Sequence, residues 1–180
     1  MMKTTLFARA MGVLALWIGA TAPAFAHGPT PQKAEEKITI AAAPEKVWAA
    51  LKNFGDVSWN PQIKKVEATG GNDSGATRTI TLEKGDLVEG LDEYNDKEMS
   101  YGYRLSTENV DVFPVSFYSA TIAVTPVGGG SEVTWVGRFY RADTSNFPPE
   151  DKNDEAAVKA MTEFLQGGLQ GLKAKVEGKS

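Results

Sequence analysis

The chain has 180 residues, 42% of them apolar, with 19 basic and 23 acidic side chains, a net charge of −4 and no cysteine. That composition excludes disulfide staples, thiol chemistry and any Cys-ligated metal or haem, and the negative balance argues against nucleic acid, whose phosphates select basic surfaces. The one histidine, His27, excludes a Ser-His-Asp or Cys-His relay in the folded body and any site built of two or more histidines.

The N-terminus places Lys3 and Arg9 before an apolar run from about Met11 to Ala20, followed by Ala24-Phe25-Ala26. Charged, apolar and small-residue segments in that order predict a secretory signal peptide over residues 1–26, cut between Ala26 and His27, and hence a periplasmic protein. The run is short of the ~20 residues a spanning helix needs, so no membrane span is expected in the mature chain. Cleavage leaves 154 residues with a net charge of about −6, enough for one domain with a real core.

Residues 27–35 open an extended arm. The stretch His27 to Lys37 carries two prolines and no apolar period, and is expected to pack poorly. A domain over residues 36–178 follows. Ile38 to Ala41 reads as a first strand, and Ala43 to Leu51 as a helix with Pro44 in its first turn and Val47, Trp48 and Leu51 on one face. Gly55 to Pro61 reads as a second short helix with a sharp exit. Strands are expected over Ile63–Thr69, Arg78–Glu83, Leu87–Tyr94 and Met99–Ser106, separated by turns rich in Gly, Asn and Asp.

Two period-2 segments joined by Gly128-Gly129-Gly130 predict a long hairpin from Phe113 to Arg141. Phe117, Ser119, Thr121 and Ala123 fall on one face of its first arm, and Tyr118, Ala120, Ile122 and Val124 on the other. Val133, Trp135, Gly137 and Phe139 form the apolar row of the second arm. Large Trp135 and Phe139 beside small Ala120 and Gly137 make an uneven face, which either seats a helix or leaves room for a guest.

From Glu150 onward Val158, Met161, Leu165, Leu169, Leu172 and Val176 recur at spacings of three and four, predicting a helix of roughly 25 residues. Gly167, Gly168 and Gly171 interrupt it, which suggests close approach to a curved sheet, or a kink. The whole predicts an α+β fold in which a seven-stranded curved antiparallel sheet, with two short helices after strand 1, wraps a long C-terminal helix and closes a pocket against it.

The order of Ala43-Pro44-Glu45-Lys46-Val47-Trp48, Trp59-Asn60-Pro61, Glu89-Gly90-Leu91-Asp92-Glu93-Tyr94, Tyr101-Gly102-Tyr103-Arg104-Leu105, Pro114-Val115-Ser116-Phe117-Tyr118 and Val133-Thr134-Trp135 resembles the SRPBCC or START-like helix-grip superfamily over about residues 35–177. Its polyketide-cyclase/dehydrase branch is the nearest likeness. The arm His27 to Lys33 joined to such a domain is similar, more narrowly, to the MxaD family of periplasmic proteins of methanol oxidation in methylotrophs. That resemblance implies an accessory role in the interaction of a periplasmic alcohol dehydrogenase with its cytochrome c. The superfamily resemblance implies a cavity for a small hydrophobic ligand, or a cyclase or dehydratase activity.

The expected cavity is lined by Trp59, Glu89, Leu91, Tyr101, Tyr103, Phe113, Pro114, Tyr118, Trp135, Phe139, Met161 and Leu165, although an aromatic stripe of this kind is also what a filled core looks like. Glu89 shares a strand face with Leu91 and Glu93. It is the weak candidate for a catalytic base, and otherwise pairs with Arg78 or Arg104 or sits in water. An N-terminal His27 has a copper-binding amine and imidazole but no second imidazole beside it. Asp151-Lys152-Asn153-Asp154 starts like a calcium loop and lacks the required glycine and glutamate. No residue pattern calls for a metal or a cofactor.

Overall fold

The computed structural model describes residues 28–178, so the expected signal segment, its expected cleavage site and His27 lie outside the described residues. Seven strands make one antiparallel sheet: β1 (Gln32–Ile40), β2 (Lys65–Thr69), β3 (Thr77–Thr81), β4 (Asp86–Asn95), β5 (Ser100–Thr107), β6 (Val115–Val127) and β7 (Gly130–Arg141). Their order across the sheet is β1-β7-β6-β5-β4-β3-β2, so the chain meanders from β2 to β7 while β1 closes the far edge beside β7. Helix α1 (Pro44–Leu51) follows β1, and helix α2 (Asp154–Glu177) ends the described chain. Register breaks in β4 and β6 are bulges, which bend a strand and deepen the curvature of the sheet.

Inward side chains of the sheet and one face of α2 make the core. Gly137 on β7 shows how they fit: a Cβ there would stand 3.0 Å from the Met161 sulfur, so the small residue in the uneven row seats a helix side chain. The three glycines of α2 answer a different neighbour. A Cβ on Gly171 would collide with the Trp59 carbonyl oxygen, one on Gly168 would lie 2.7 Å from the Trp135 ring, and one on Gly167 2.5 Å from Gln62 Nε2. The segment from Trp59 to Gln62 therefore lies directly on the helix, and α2 needs no kink to explain its glycines. Helix α2 starts at Asn153, whose side chain accepts from Ala156 N at 2.9 Å, and stops at Gly178 with φ of 71°.

Three expectations need correction. Strand β1 begins at Gln32, not Ile38, and pairs with β7 along its whole length, from Gln32 opposite Phe139 to Ile40 opposite Ser131. Its inward positions include small Ala34 and polar Glu36, which gave no apolar alternation to read. Gly55 to Pro61 forms turns in place of a second short helix. Asn53, Asp56 and Asn60 each accept from the backbone N–H two residues on, at 3.0 Å, and such turns compete with helical bonding. Glu93 does not share the face of Glu89 and Leu91, because the bulge between Leu91 and Glu93 turns it out to solvent.

Candidate functional site

The floor of the trough is polar at one point. Arg78 on β3 and Glu89 on β4 are partners in the strand register, and period-2 alternation points both inward, beside Ile80 and Leu91. Arg78 Nε donates to Glu89 Oε2 at 2.5 Å and its Nη1 donates to the Phe54 carbonyl at 2.9 Å. The guanidinium also lies 4.3 Å from the Phe54 ring centre and 4.7 Å from that of Tyr103. The second carboxylate oxygen, Oε1, accepts from the Tyr118 hydroxyl. Both groups are sealed, at 3% and 0% exposure. Arg104, the other cation considered for Glu89, instead binds Asp92 on the outer face.

Charge and burial set the proton affinities here. Burial would push the Arg78 guanidinium down, but the Glu89 carboxylate and the tyrosine hydroxyls around it hold it above its ordinary value. Burial also pushes the Tyr103 and Tyr118 hydroxyls well up, and the negative charge of Glu89 adds to both. Tyr101 is raised by burial, with Arg78 partly offsetting it. All three are therefore neutral hydrogen-bonding groups at ordinary pH. Glu89 is a poor general base in this state, because a substrate proton reaches it only after Arg78 or Tyr118 lets go.

Around this pair the rings form a continuous chain. Trp59 meets Trp135 at 5.4 Å between ring centres, Trp135 meets Phe164 at 5.7 Å, Phe164 meets Phe113 at 5.6 Å, and Phe113 meets Tyr118 at 6.3 Å. Tyr118 then meets Tyr103, and Tyr103 meets Tyr101. Trp135 Nε1 donates to the Tyr103 hydroxyl oxygen at 3.1 Å, so the indole is satisfied without a ligand.

Of the residues expected to line a cavity, Tyr103, Phe113, Tyr118, Met161 and Leu165 do border an internal void, together with Leu82, Leu87, Ala120 and Phe164. That void measures only about 10 Å³, room for one water at most. Trp59, Glu89, Leu91, Tyr101, Trp135 and Phe139 are buried in the core but do not border it. Pro114 lies outside, in an open cleft of about 480 Å³ walled by the 61–64 segment, Leu82 to Lys84, Val112 to Pro114 and the α2 residues Ala160, Glu163 and Phe164. Leu82, Phe113 and Phe164 border both spaces and form the partition between them. Leu82, Leu87, Ala120 and Phe164 were not among the residues expected to line the void. Period 2 from Arg78 and Ile80 points to Leu82, and a spacing of three from Met161 points to Phe164.

Among the described residues no group of three His, Cys, Asp or Glu is placed to hold a metal ion, and no helix is long and apolar enough to cross a membrane.

A curved antiparallel sheet gripping a C-terminal helix, with an aromatic interior and a cleft at its rim, defines the helix-grip class of domain. Residues 31–177 match the family described as polyketide cyclase / dehydrase and lipid transport, and the chain belongs to that family. No curated protein matches it significantly. Among solved structures it is similar to the protein XoxI from Bacillus cereus, at 27% identity and a TM-score of 0.67 over 81% of this chain and 95% of that one. An uncharacterized protein from Bacillus thuringiensis is similar at 26% identity and TM-score 0.66, over 81% and 99% of the two chains. A protein from Nitrosospira multiformis at 24% identity, TM-score 0.66, over 83% and 100% of the chains, shares the fold.

Proposed function

We propose that this chain is a periplasmic accessory protein of methanol or other alcohol oxidation, resembling MxaD, which promotes the encounter of a dehydrogenase with its cytochrome c. It works through its surface, not by chemistry in its interior. The observation that carries this reading is the state of that interior: the void holds about 10 Å³ and both oxygens of the buried Glu89 carboxylate are taken, by Arg78 and Tyr118. A trough so filled offers neither a free base nor a standing ligand site, and the solvent-facing rim is what remains to act. The export signal expected from the sequence over residues 1–26 supports the compartment, and the sequence of the arm from His27 to Lys33 supports the narrower likeness. The test is electron transfer from purified dehydrogenase to cytochrome c with and without the mature protein across a range of salt. Faster transfer that fades with ionic strength is expected, and an unchanged rate at every salt concentration overturns the reading.

A second reading rests on the shared partition of Leu82, Phe113 and Phe164. Were those side chains to swing aside, the cleft of about 480 Å³ would join the interior and admit a small hydrophobic ligand. Native mass spectrometry of gently purified protein tests it, with a bound small molecule as the expected result. Cyclase or dehydratase chemistry at Glu89 ranks below both, since it requires breaking a buried ion pair before the first proton moves.

A further inference from the structure

Among the described residues two large apolar side chains stand in solvent, Phe117 at 70% exposure and Phe147 at 92%. They belong to the same end of the sheet. Val115 and Ser116 pair with Arg141 and Tyr140, the Ser116 hydroxyl donates to the Arg141 carbonyl at 2.8 Å, and the Phe147 loop leaves directly after Arg141. A Lys152–Asp111 ion pair of 2.6 Å ties that loop's far side to the 108–114 segment.

Neither phenylalanine is exposed through slackness. Phe117 has a φ of 49°, a left-handed conformation that bulky residues rarely adopt, and its N–H donates to Glu108 at 3.4 Å within the β6 bulge. The loop before Phe147 is held by Arg141, which donates to the Asp143 carbonyl at 2.6 Å and the Ser145 carbonyl at 2.8 Å, and Pro148-Pro149 stiffens the chain on the other side of the ring. Backbone strain and a braced loop thus present two aromatic side chains to water with no gain to the fold. Residues 108–117 and 142–152 also carry five carboxylates, Glu108, Asp111, Asp143, Glu150 and Asp151, against the single ammonium of Lys152, which Asp111 already binds.

We infer that this rim is a docking surface for a protein face with an apolar centre ringed by lysine or arginine, with Phe117 and Phe147 as its anchors. Aromatic anchors in rigid settings carry binding energy at low ordering entropy, and the carboxylates of the same two segments select a basic partner and speed its arrival. An anionic membrane is disfavoured by the same charges. The inference rests on the accessory reading and specifies where on the molecule that role is performed.

The test titrates isotope-labelled mature protein with the purified dehydrogenase and, separately, with the purified cytochrome c, while amide shifts are followed. Shifts confined to 108–117 and 142–152 are expected with one of the two. Phe117→Asn and Phe147→Ser should each weaken Kd at least ten-fold. Asn tolerates the left-handed conformation, so Phe117→Asn should leave Tm unchanged or higher, which separates lost binding from lost folding. Glu150→Lys with Asp151→Lys should flatten the salt dependence of Kd. If wild type binds but the shifts map elsewhere, or the substitutions leave Kd unchanged, the docking surface is overturned while the accessory reading stands. If neither partner binds and electron transfer is unaffected, the accessory reading falls and takes the surface with it. Shifts at this rim on concentrating the protein alone, or on adding anionic vesicles, would make a second copy or a membrane the occupant and overturn the basic partner.

Discussion

The Arg78 guanidinium and the Glu89 carboxylate face each other across neighbouring strands, 2.5 Å apart and shut off from water. Removing either partner leaves the other's charge buried and unpaired, so Glu89→Gln and Arg78→Met should each destabilise the fold by about 3–5 kcal/mol. The double substitution Arg78→Met/Glu89→Gln should lose clearly less than the two singles together, because it leaves no orphaned charge. Urea unfolding of the four proteins measures this, and strict additivity would show that the pair is not coupled.

Alkaline pH should unfold the protein cooperatively. In the unfolded chain a tyrosine ionises near ~10, whereas Tyr101, Tyr103 and Tyr118 are all raised in the folded state, chiefly by burial. Above that pH the unfolded chain binds fewer protons than the folded one, so this contribution to stability is complete below about pH 10 and is lost as pH climbs toward the folded values. Each such tyrosine steepens the loss by up to about 1.4 kcal/mol per pH unit. Tyrosinate absorbance and circular dichroism should therefore change together. Tyrosinate from these three residues appearing in a still-folded protein would contradict the geometry.

Gly171 should tolerate alanine far less well than Gly167. A methyl at Gly171 runs into the rigid Trp59 carbonyl and meets Pro61 Cδ at 2.5 Å, so Gly171→Ala should destabilise by about 1–3 kcal/mol despite the gain in helix propensity. At Gly167 the obstacle is the end of the Gln62 side chain, which can swing away. It forfeits a hydrogen bond to the Phe164 carbonyl in doing so, and propensity roughly restores what is lost. Gly167→Ala should then lie within about 1 kcal/mol of wild type in thermal unfolding. Equal losses at both positions would mean that Gln62 is as fixed as the backbone.

Phe113→Ala should open the partition between cleft and void. Stability should fall by roughly 3–5 kcal/mol, as large core truncations do, and a fluorescent apolar probe should bind at least ten-fold more tightly than to wild type. Lower stability with unchanged probe binding would remove the ligand-carrier reading.

Much of the fold was legible in local pattern. Period-2 alternation around Gly128-Gly129-Gly130 announced the β6–β7 hairpin, and the three-and-four spacing from Val158 to Val176 announced α2, because side chains repeat in those periods whatever the fold around them. The early start of β1 was not legible, since its inward Ala34 and Glu36 are read only through pairing with β7. Nor was the outward turn of Glu93, because a bulge depends on how many residues the opposing strand supplies.

The residues by themselves determined the class of domain, the aromatic inventory of its interior and the absence of thiol or multi-histidine chemistry. Only the tertiary structure decided that Trp135 bonds Tyr103, that Glu89 is closed off by Arg78 and Tyr118, and that Met161 fills the gap at Gly137. Each of these joins strands, or a strand and a helix, far apart in the chain. Whether a trough is empty or full depends on a few ångströms of fit between such partners, and short-range periodicity carries no record of that distance.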